Sequence, residues 1–237
     1  MRILGVSIDE LSREDILKQV EHFLDEPKFH RIATVNPEFL LLAEKDQIFQ
    51  RSLTDADLRI TDGFGIVLAG LLHGRCIARF PGADLMDAIL EIANEKRLAV
   101  YLAVRKDGLS HYEEIKETLL KRYPNLMIDG KDIDSKEIRN WKLEIGNSAV
   151  ILCNLGSPAQ ELFLENLRSV SVGARLGMGV GGSFDYLTGR LRRAPRWVRA
   201  LGLEWLWRLI LQPQRWKRIW NAVVVFPFRV LFATIGK

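Results

Sequence analysis

An aspartate at position 62 has the surroundings expected of a catalytic base. It follows a short strand-like run at residues 58–60 and is flanked by Thr61, Gly63 and Gly65. A carboxylate in a partly closed site can accept the proton of an attacking hydroxyl group. From position alone, Asp62 could equally be a helix cap.

A glycine cluster near residue 180 matches the spacing G-x-G-x-x-G. It reads GMGVGG at residues 177–182. In dinucleotide folds such glycines let backbone N–H groups approach a pyrophosphate, which would suit a nicotinamide cofactor. The match comes late, however, and the basic segment after it does not resemble the rest of a βαβ unit. A glycine turn that approaches the diphosphate or sugar of another ligand is favoured, with a purely structural tight turn as the alternative.

Two D-x-D tripeptides have the spacing that can hold a divalent metal on a diphosphate. Asp55 and Asp57 precede their strand instead of following it, and Asp132 and Asp134 fall in a predicted polar loop. Both pairs are therefore predicted to be solvated turns, and no metal site is expected. The two cysteines, Cys76 and Cys153, lie far apart and are predicted to be buried structural thiols.

The charge of the chain is strongly divided. Residues 188–237 hold eleven Arg and Lys residues against one acid, Glu204, a net charge of +10, whereas residues 1–187 carry −6. Five of the six tryptophans also lie in this segment. Arginine suits phosphate groups and tryptophan suits the boundary between water and lipid. A role at an anionic membrane surface is predicted; a basic helix packed on the body, or nucleic-acid binding, are the alternatives.

The elements that would position these residues alternate between strand and helix. Strands are predicted at 3–8, 31–35, 58–60, 98–104, 126–128, 149–154 and 174–179. Helices are predicted at 12–24, 36–51, 64–72, 83–96, 110–122 and 158–168. This alternation predicts an α/β fold with a doubly wound, mostly parallel, Rossmann-like sheet. Ligands of such sheets bind at the carboxyl ends of the strands, where Asp62 lies.

The shift in composition divides the chain into two predicted parts. Residues 1–190 form the α/β body, and residues 191–237 form a basic, Trp-rich helical appendage. The apolar run at 223–235 is interrupted by Pro227 and Arg229, so it is predicted to lie in the membrane interface rather than to span it. The amino terminus lacks an apolar secretory segment, and a cytosolic chain is expected.

Six motifs in order resemble the WecG/TagA/CpsF family, the family 26 glycosyltransferases. They are TVNPE at 34–38, TDGFG at 61–65, RFPGADL at 79–85, GSPAQE at 156–161, GVGGSFD at 179–185, and RAP at 193–195 followed by GLEW at 202–205. The resemblance implies an inverting transfer of a sugar from a UDP-sugar, N-acetylmannosamine, its uronic acid or a related hexose. The implied acceptor is a sugar on a polyprenyl diphosphate, and the product feeds teichoic acid or another surface polysaccharide.

The resemblance also implies partners and site residues. The expected partners are the UDP-sugar, the lipid-linked acceptor and the membrane surface, with action at the cytoplasmic face, no nucleic acid and no metal cofactor; a homo-oligomer is left open. Asp62 matches the proposed base of the family. The substrate-binding positions implied are Thr34, Asn36, Arg79, Gln160, Asp185, Arg208, Arg215 and Arg218.

Two positions depart from the family pattern. The loop after residues 98–104, usually glycine-containing, begins here with Arg105 and Lys106, and Ala159 stands where lysine usually precedes the glutamine. Either change could alter donor preference. A nicotinamide-dependent oxidoreductase and a non-enzymatic basic binding module are the rival functions; binding of UDP but not NAD would exclude the first.

Overall fold

A computed structural model describes residues 1–134, 145–168 and 173–235. The chain begins with a two-stranded antiparallel hairpin, β1 (Arg2–Ile3) and β2 (Val6–Ser7), instead of the single strand predicted at 3–8. Leu4 and Gly5 form the turn, with φ of 44° and 86°. Glycine adopts such angles freely, and its presence here was a turn signal that the apolar pattern concealed.

Six parallel strands form the central sheet, which confirms the predicted fold class. They are β3 (His30–Val35), β4 (Leu58–Thr61), β5 (Val100–Arg105), β6 (Ile128–Ile133), β7 (Val150–Cys153) and β8 (Leu176–Gly179). Their order across the sheet is β4-β3-β8-β7-β5-β6. Strands β5 and β7 are almost continuous apolar runs, as expected where helices cover both faces of a sheet.

Helices pack on both faces of this sheet. They are α1 (Arg13–Asp25), α2 (Pro37–Ala43), α3 (Gln47–Thr54), α4 (Phe64–Leu72), α5 (Gly82–Glu95), α6 (Tyr112–Arg122), α7 (Ala159–Leu167) and α8 (Ser183–Leu187). Helices α1, α5, α6 and α8 share a core with one side of the strands, which we call the first face. Helices α2, α3, α4 and α7 cover the second face.

Two further predicted elements were wrong in their bounds. The helix predicted at 36–51 is two helices, because Asp46 begins a new one by accepting the N–H groups of Ile48 and Phe49. The strand predicted at 126–128 overlaps β6 only at Ile128, because β6 runs from there to Ile133 at the edge of the sheet. Its mostly exposed, charged side chains hide the apolar pattern of a strand.

The carboxyl-terminal segment consists of short helical pieces. They are α9 (Arg196–Ala200), α10 (Glu204–Leu211), a 3₁₀ turn (Pro213–Arg215), α11 (Trp216–Trp220), a π-helical segment (Asn221–Val225) and α12 (Phe226–Ile235). Helix α12 packs against α2 and α4, and Phe226 and Val230 are buried in the core of the second face. Among the described helices, none combines the length and hydropathy needed to cross a bilayer. The predicted division at residue 190 stays a prediction, and residues 236–237 lie outside the described part.

Candidate active site

The crevice at the carboxyl ends of β3 and β8 is the topological switch point of the sheet. These strands are neighbours, yet β3 continues into α2 on the second face and β8 into α8 on the first. Chain segments that leave neighbouring strands in opposite directions open a crevice between them, and such crevices bind ligands in α/β sheets.

Asp62 lies beside this crevice, directly after β4. Its side chain does not cap α4, whose N-cap is Gly63 and has no side-chain cap hydrogen bond. Instead, the N–H of Gly82, the first residue of α5, donates to Asp62 Oδ1 at 2.8 Å. Burial raises the pKa of Asp62, and this effect is opposed by the Gly82 hydrogen bond and by the charges of Arg79 and Arg208. A carboxylate with a raised pKa is a stronger base.

Thr34 and Asn36 lie next to Asp62. A Cβ atom added to Gly82 would lie 3.2 Å from Thr34 Cγ2, and one added to Gly63 would lie 3.3 Å from Asn36 Cβ. Asn36 Oδ1 accepts the N–H of Phe39 at 3.1 Å, so Asn36 is the N-cap of α2. The glycines therefore allow the ends of β3 and β4 and the start of α5 to approach closely.

Arg79 connects Asp62 to the carboxyl-terminal segment. Its Nε donates to the backbone carbonyl of Asp62 at 2.7 Å, and its Nη1 to the carbonyl of Arg199 at 3.3 Å. Its Nη2 forms an ion pair with Glu204 Oε2 at 2.8 Å. These three partners fix the Arg79 guanidinium beside Asp62. The substrate-binding role implied for Arg79 stays a prediction.

Arg208, Arg215 and Arg218 gather over the same crevice. Arg208 Nη2 would lie 2.8 Å from a Cβ at Gly182, in the loop after β8. Burial, together with the charges of Arg208 and Arg218, lowers the pKa of Arg215 to about 10. Arg218 pairs with Glu38, Nη2 to Oε2 2.6 Å. Positive groups held close together in this way are suited to a multiply charged anion.

Asp185 is held at the start of α8. Its Oδ1 accepts a hydrogen bond from Ser110 Oγ at 2.9 Å, and its Oδ2 would lie 3.6 Å from a Cβ at Gly182. The neighbouring Tyr186 ring packs against the guanidinium of Arg208, with its centroid 5.6 Å from Cζ. Asp185 and Arg208 therefore border the same glycine loop.

Gln160 is buried in α7, behind the end of β8. Its Nε2 donates to Glu161 Oε1 at 2.6 Å, while its Oε1 has no hydrogen-bond partner. A Cβ at Gly179 would lie 2.3 Å from Gln160 Nε2, so this glycine is what admits the amide. Glu161, also buried, has a pKa raised to about 7 by loss of solvation.

The glycine spacing does not form a dinucleotide turn. Gly177 and Gly179 lie inside β8, where their missing Cβ atoms make room for Phe29 and Gln160 on the second face. Only Gly181 and Gly182 are in the loop that follows. This geometry agrees with the sequence analysis, which disfavoured a nicotinamide site, because two of the glycines belong to the strand and not to a loop.

The first D-x-D tripeptide has a structural role. Asp57 Oδ2 accepts the backbone N–H of Arg31 at 2.9 Å and pairs with Arg168, so it ties α7 to the sheet. Asp132 lies in β6, not in the predicted loop, and accepts the N–H of Tyr112 at 3.0 Å.

Three other predictions concern isolated positions. Arg105 and Lys106 are exposed at the end of β5, and Ala159 begins α7. Cys153 is buried, but Cys76 is exposed, so the prediction of two buried thiols was wrong for Cys76.

Sequence reasoning missed Glu204, Ser110 and Tyr186 as residues around the crevice. Ser110 and Tyr186 contact site residues that are distant in sequence, and nothing local signals these contacts. Glu204 did carry a signal, since it is the only acid in a strongly basic segment.

Comparisons with known proteins give one matching family and similar proteins in two Bacillus species. The model of the Glycosyl transferase WecG/TagA/CpsF family matches residues 1–237. A Bacillus subtilis (strain 168) protein named N-acetylglucosaminyldiphosphoundecaprenol N-acetyl-beta-D-mannosaminyltransferase is 33% identical over 204 residues, which is 84% of this chain and 78% of that protein. A Bacillus spizizenii (strain W23) protein of the same name is 31% identical over 203 residues, 83% of this chain and 77% of that protein.

Proposed function

The chain belongs to the WecG/TagA/CpsF glycosyl transferase family, and we propose that it transfers N-acetylmannosamine from its UDP derivative to N-acetylglucosaminyl diphosphoundecaprenol. The acceptor and the transferred sugar are those in the names of the two Bacillus relatives. The observation that carries the proposal is a carboxylate with a raised pKa, held by Gly82 and bordered by converging arginines.

The proposed chemistry is a single inverting displacement. Asp62 takes the proton of the acceptor hydroxyl as its oxygen attacks the anomeric carbon of the donor. The bond between that carbon and the UDP oxygen breaks, and UDP leaves with the bonding electrons. Arg208 and Arg215 offset the charge that develops on the diphosphate, in a crevice where desolvation strengthens the interaction.

We further propose that no metal ion is required. The residues bordering the diphosphate position supply several positive charges, which is the role that a metal has in many nucleotide-sugar enzymes. Chelation with EDTA is expected to leave the rate of transfer unchanged. Loss of activity that magnesium or manganese restores would contradict this part of the proposal.

Peripheral attachment to the cytoplasmic face of the membrane is the third part of the proposal. Support comes from exposed apolar side chains on α4 and along the carboxyl-terminal segment, intermingled with arginine: Phe64, Leu68, Leu71, Leu72, Trp216, Trp220, Phe228, Leu231 and Phe232. Helix α4 packs against α12, so exposed apolar side chains lie on two helices that contact each other. Such a surface suits the interface of an anionic bilayer.

The central test is release of UDP from UDP-N-acetylmannosamine in the presence of an N-acetylglucosaminyl diphospholipid. Asp62→Asn retains shape and hydrogen-bonding groups but removes the base, so the rate should fall about 10²–10⁴-fold while UDP still binds. A wild-type chain inactive with every UDP-sugar and acceptor pair would refute the function. A fully active Asp62→Asn variant would refute only the assignment of the base.

A further inference from the structure

The loop between α4 and α5 connects Asp62 with the carboxyl-terminal segment. Arg79 Nε donates to the carbonyl of Asp62, and the N–H of Gly82 donates to its carboxylate. The N–H of Phe80 also donates to the carbonyl of Thr61 at 2.9 Å. Any displacement of this loop must therefore move the main chain and the side chain of Asp62 together.

Glu204 holds this loop from the other side. Its ion pair with Arg79 is largely buried, with 18% of the Arg79 side chain and 21% of the Glu204 side chain exposed. The Arg79 guanidinium is also bound to the carbonyl of Arg199, so two sites on α9 and α10 secure it. Ion pairs shielded from solvent in this way constrain geometry far more than exposed pairs do.

We propose that Glu204 is a positioning residue for the transfer reaction: through Arg79 it fixes the orientation and the charge environment of Asp62. This inference rests on the proposed role of Asp62 as the base. It gives the only acid of the basic segment a function in the reaction. It also means that α10 must contact the loop between α4 and α5 for Asp62 to act as the base.

The alternative is that Glu204 only stabilises its own helix. It is the first residue of α10, and an acid in the first turn interacts favourably with the helix dipole. Loss of a purely structural role would lower stability, or the active fraction, without changing the pH dependence of the active enzyme. The pH profile therefore distinguishes the two roles.

The direction of the expected change follows from the charges around Asp62. Arg79 between α4 and α5, and Arg208 on α10, lower the pKa of Asp62, whereas Glu204 raises it. Glu204→Gln leaves an oxygen that can still accept from Arg79 but removes the negative charge. The pKa of Asp62 should then fall, and the acid limb of the pH profile should move to lower pH.

The experiment compares the full-length wild type with Glu204→Gln, Glu204→Asp and Glu44→Gln. Glu44 pairs with Arg229 of α12, Oε1 to Nη2 3.1 Å, so Glu44→Gln removes an equal charge and an ion pair to the same segment without contacting Arg79. Measured quantities are kcat/KM for UDP release against pH, and equilibrium binding of UDP.

Glu204→Gln is expected to reduce kcat/KM about tenfold at the wild-type optimum, since a base of lower pKa removes a proton less readily. The acid limb of its pH profile should shift to lower pH. UDP binding by Glu204→Gln should stay within about twofold of wild type, because Glu204 acts on Asp62 and not on the nucleotide. Glu204→Asp, which retains the charge, should recover part of the rate. Glu44→Gln should match the wild type.

An acid limb that does not move, or that moves equally in Glu44→Gln, would overturn the inference while leaving the transfer function intact. An upward shift would support the inference by the other route, because it would mean that Arg79 leaves Asp62 once Glu204 no longer holds it. A wild type that releases no UDP would instead count against the proposed function itself.

Discussion

The buried carboxyl of Glu161, in the helix behind the end of β8, has a strongly raised pKa. Its carboxyl is buried in α7, and the hydrogen bond from Gln160 only partly offsets the lost solvation that raises its pKa to about 7. The folded chain therefore binds this proton more tightly than the unfolded chain, in which the ordinary value is 4.5. The resulting stabilisation is present below the unfolded pKa and is lost as the pH rises from 4.5 to about 7.

Glu161→Gln should remove this dependence. Between pH 4.5 and pH 8 the free energy of unfolding of the wild type should fall by roughly 3 kcal/mol relative to that of the variant. Urea unfolding across that range measures it. Glu165→Gln, which removes one carboxylate from the same helix, is the control. A difference for Glu161→Gln that does not change with pH would show that the side chain titrates normally.

At the scale of elements, glycines along β8 and its loop differ in what their missing side chains permit. A Cβ at Gly177 would lie 2.6 Å from the ring carbon Cζ of Phe29 and 3.1 Å from Leu164 Cδ2, both in a packed core. A Cβ at Gly182 would instead meet the free end of the Arg208 side chain.

Gly177→Ala should therefore destabilise the protein by about 1–3 kcal/mol, the usual cost of overpacking. Gly182→Ala should cost under about 1 kcal/mol, mainly through a poorer helix N-cap. It should nevertheless weaken UDP binding, since Arg208 must move. Thermal unfolding and UDP titration of both variants check this. Equal losses of stability would mean that the loop is packed as tightly as the strand.

Local signals predicted most elements well. Helix α4 has the predicted bounds, and Ser12 caps α1 by accepting the N–H of Asp15. The predictions failed where the local sequence fits two structures. Residues 36–51 fit one helix or two with a break at Asp46, and the polar residues of β6 fit a loop or an edge strand. The candidate site residues were predicted from family motifs. The contact between Glu204 and Arg79 spans 125 residues, and no local periodicity indicates it.

At the scale of the whole molecule, α4 extends the apolar surface of the carboxyl-terminal segment onto the body. The side chain of Phe64 packs on Gly202, where an added Cβ would lie 2.6 Å from Phe64 Cγ. Leu71 and Leu72 remain 57% exposed. If this surface meets lipid, Leu71→Gln combined with Leu72→Gln should weaken binding to anionic vesicles about tenfold per leucine.

Vesicle sedimentation and UDP release provide the measurement. The double variant should transfer normally to a short-chain soluble acceptor and poorly to an acceptor embedded in vesicles. Met127→Gln is the matched control because Met127 is similarly exposed, at 53%, but lies at the amino end of β6. Unchanged vesicle binding in the double variant would remove α4 from the lipid-facing surface.

The π-helical segment at Asn221–Val225 makes residue count, rather than residue identity, a determinant of the fold. A π turn holds about one residue more than an α turn, and each helical residue rotates the chain by about 100°. Ile219 is buried before this segment, and Phe226 and Val230 are buried after it. A chain one residue shorter there would close the same rotation with an ordinary α turn, so Phe226 and Val230 would still face the core. A chain one residue longer would rotate both side chains away from it. A single deletion in this segment should therefore be tolerated better than a single insertion.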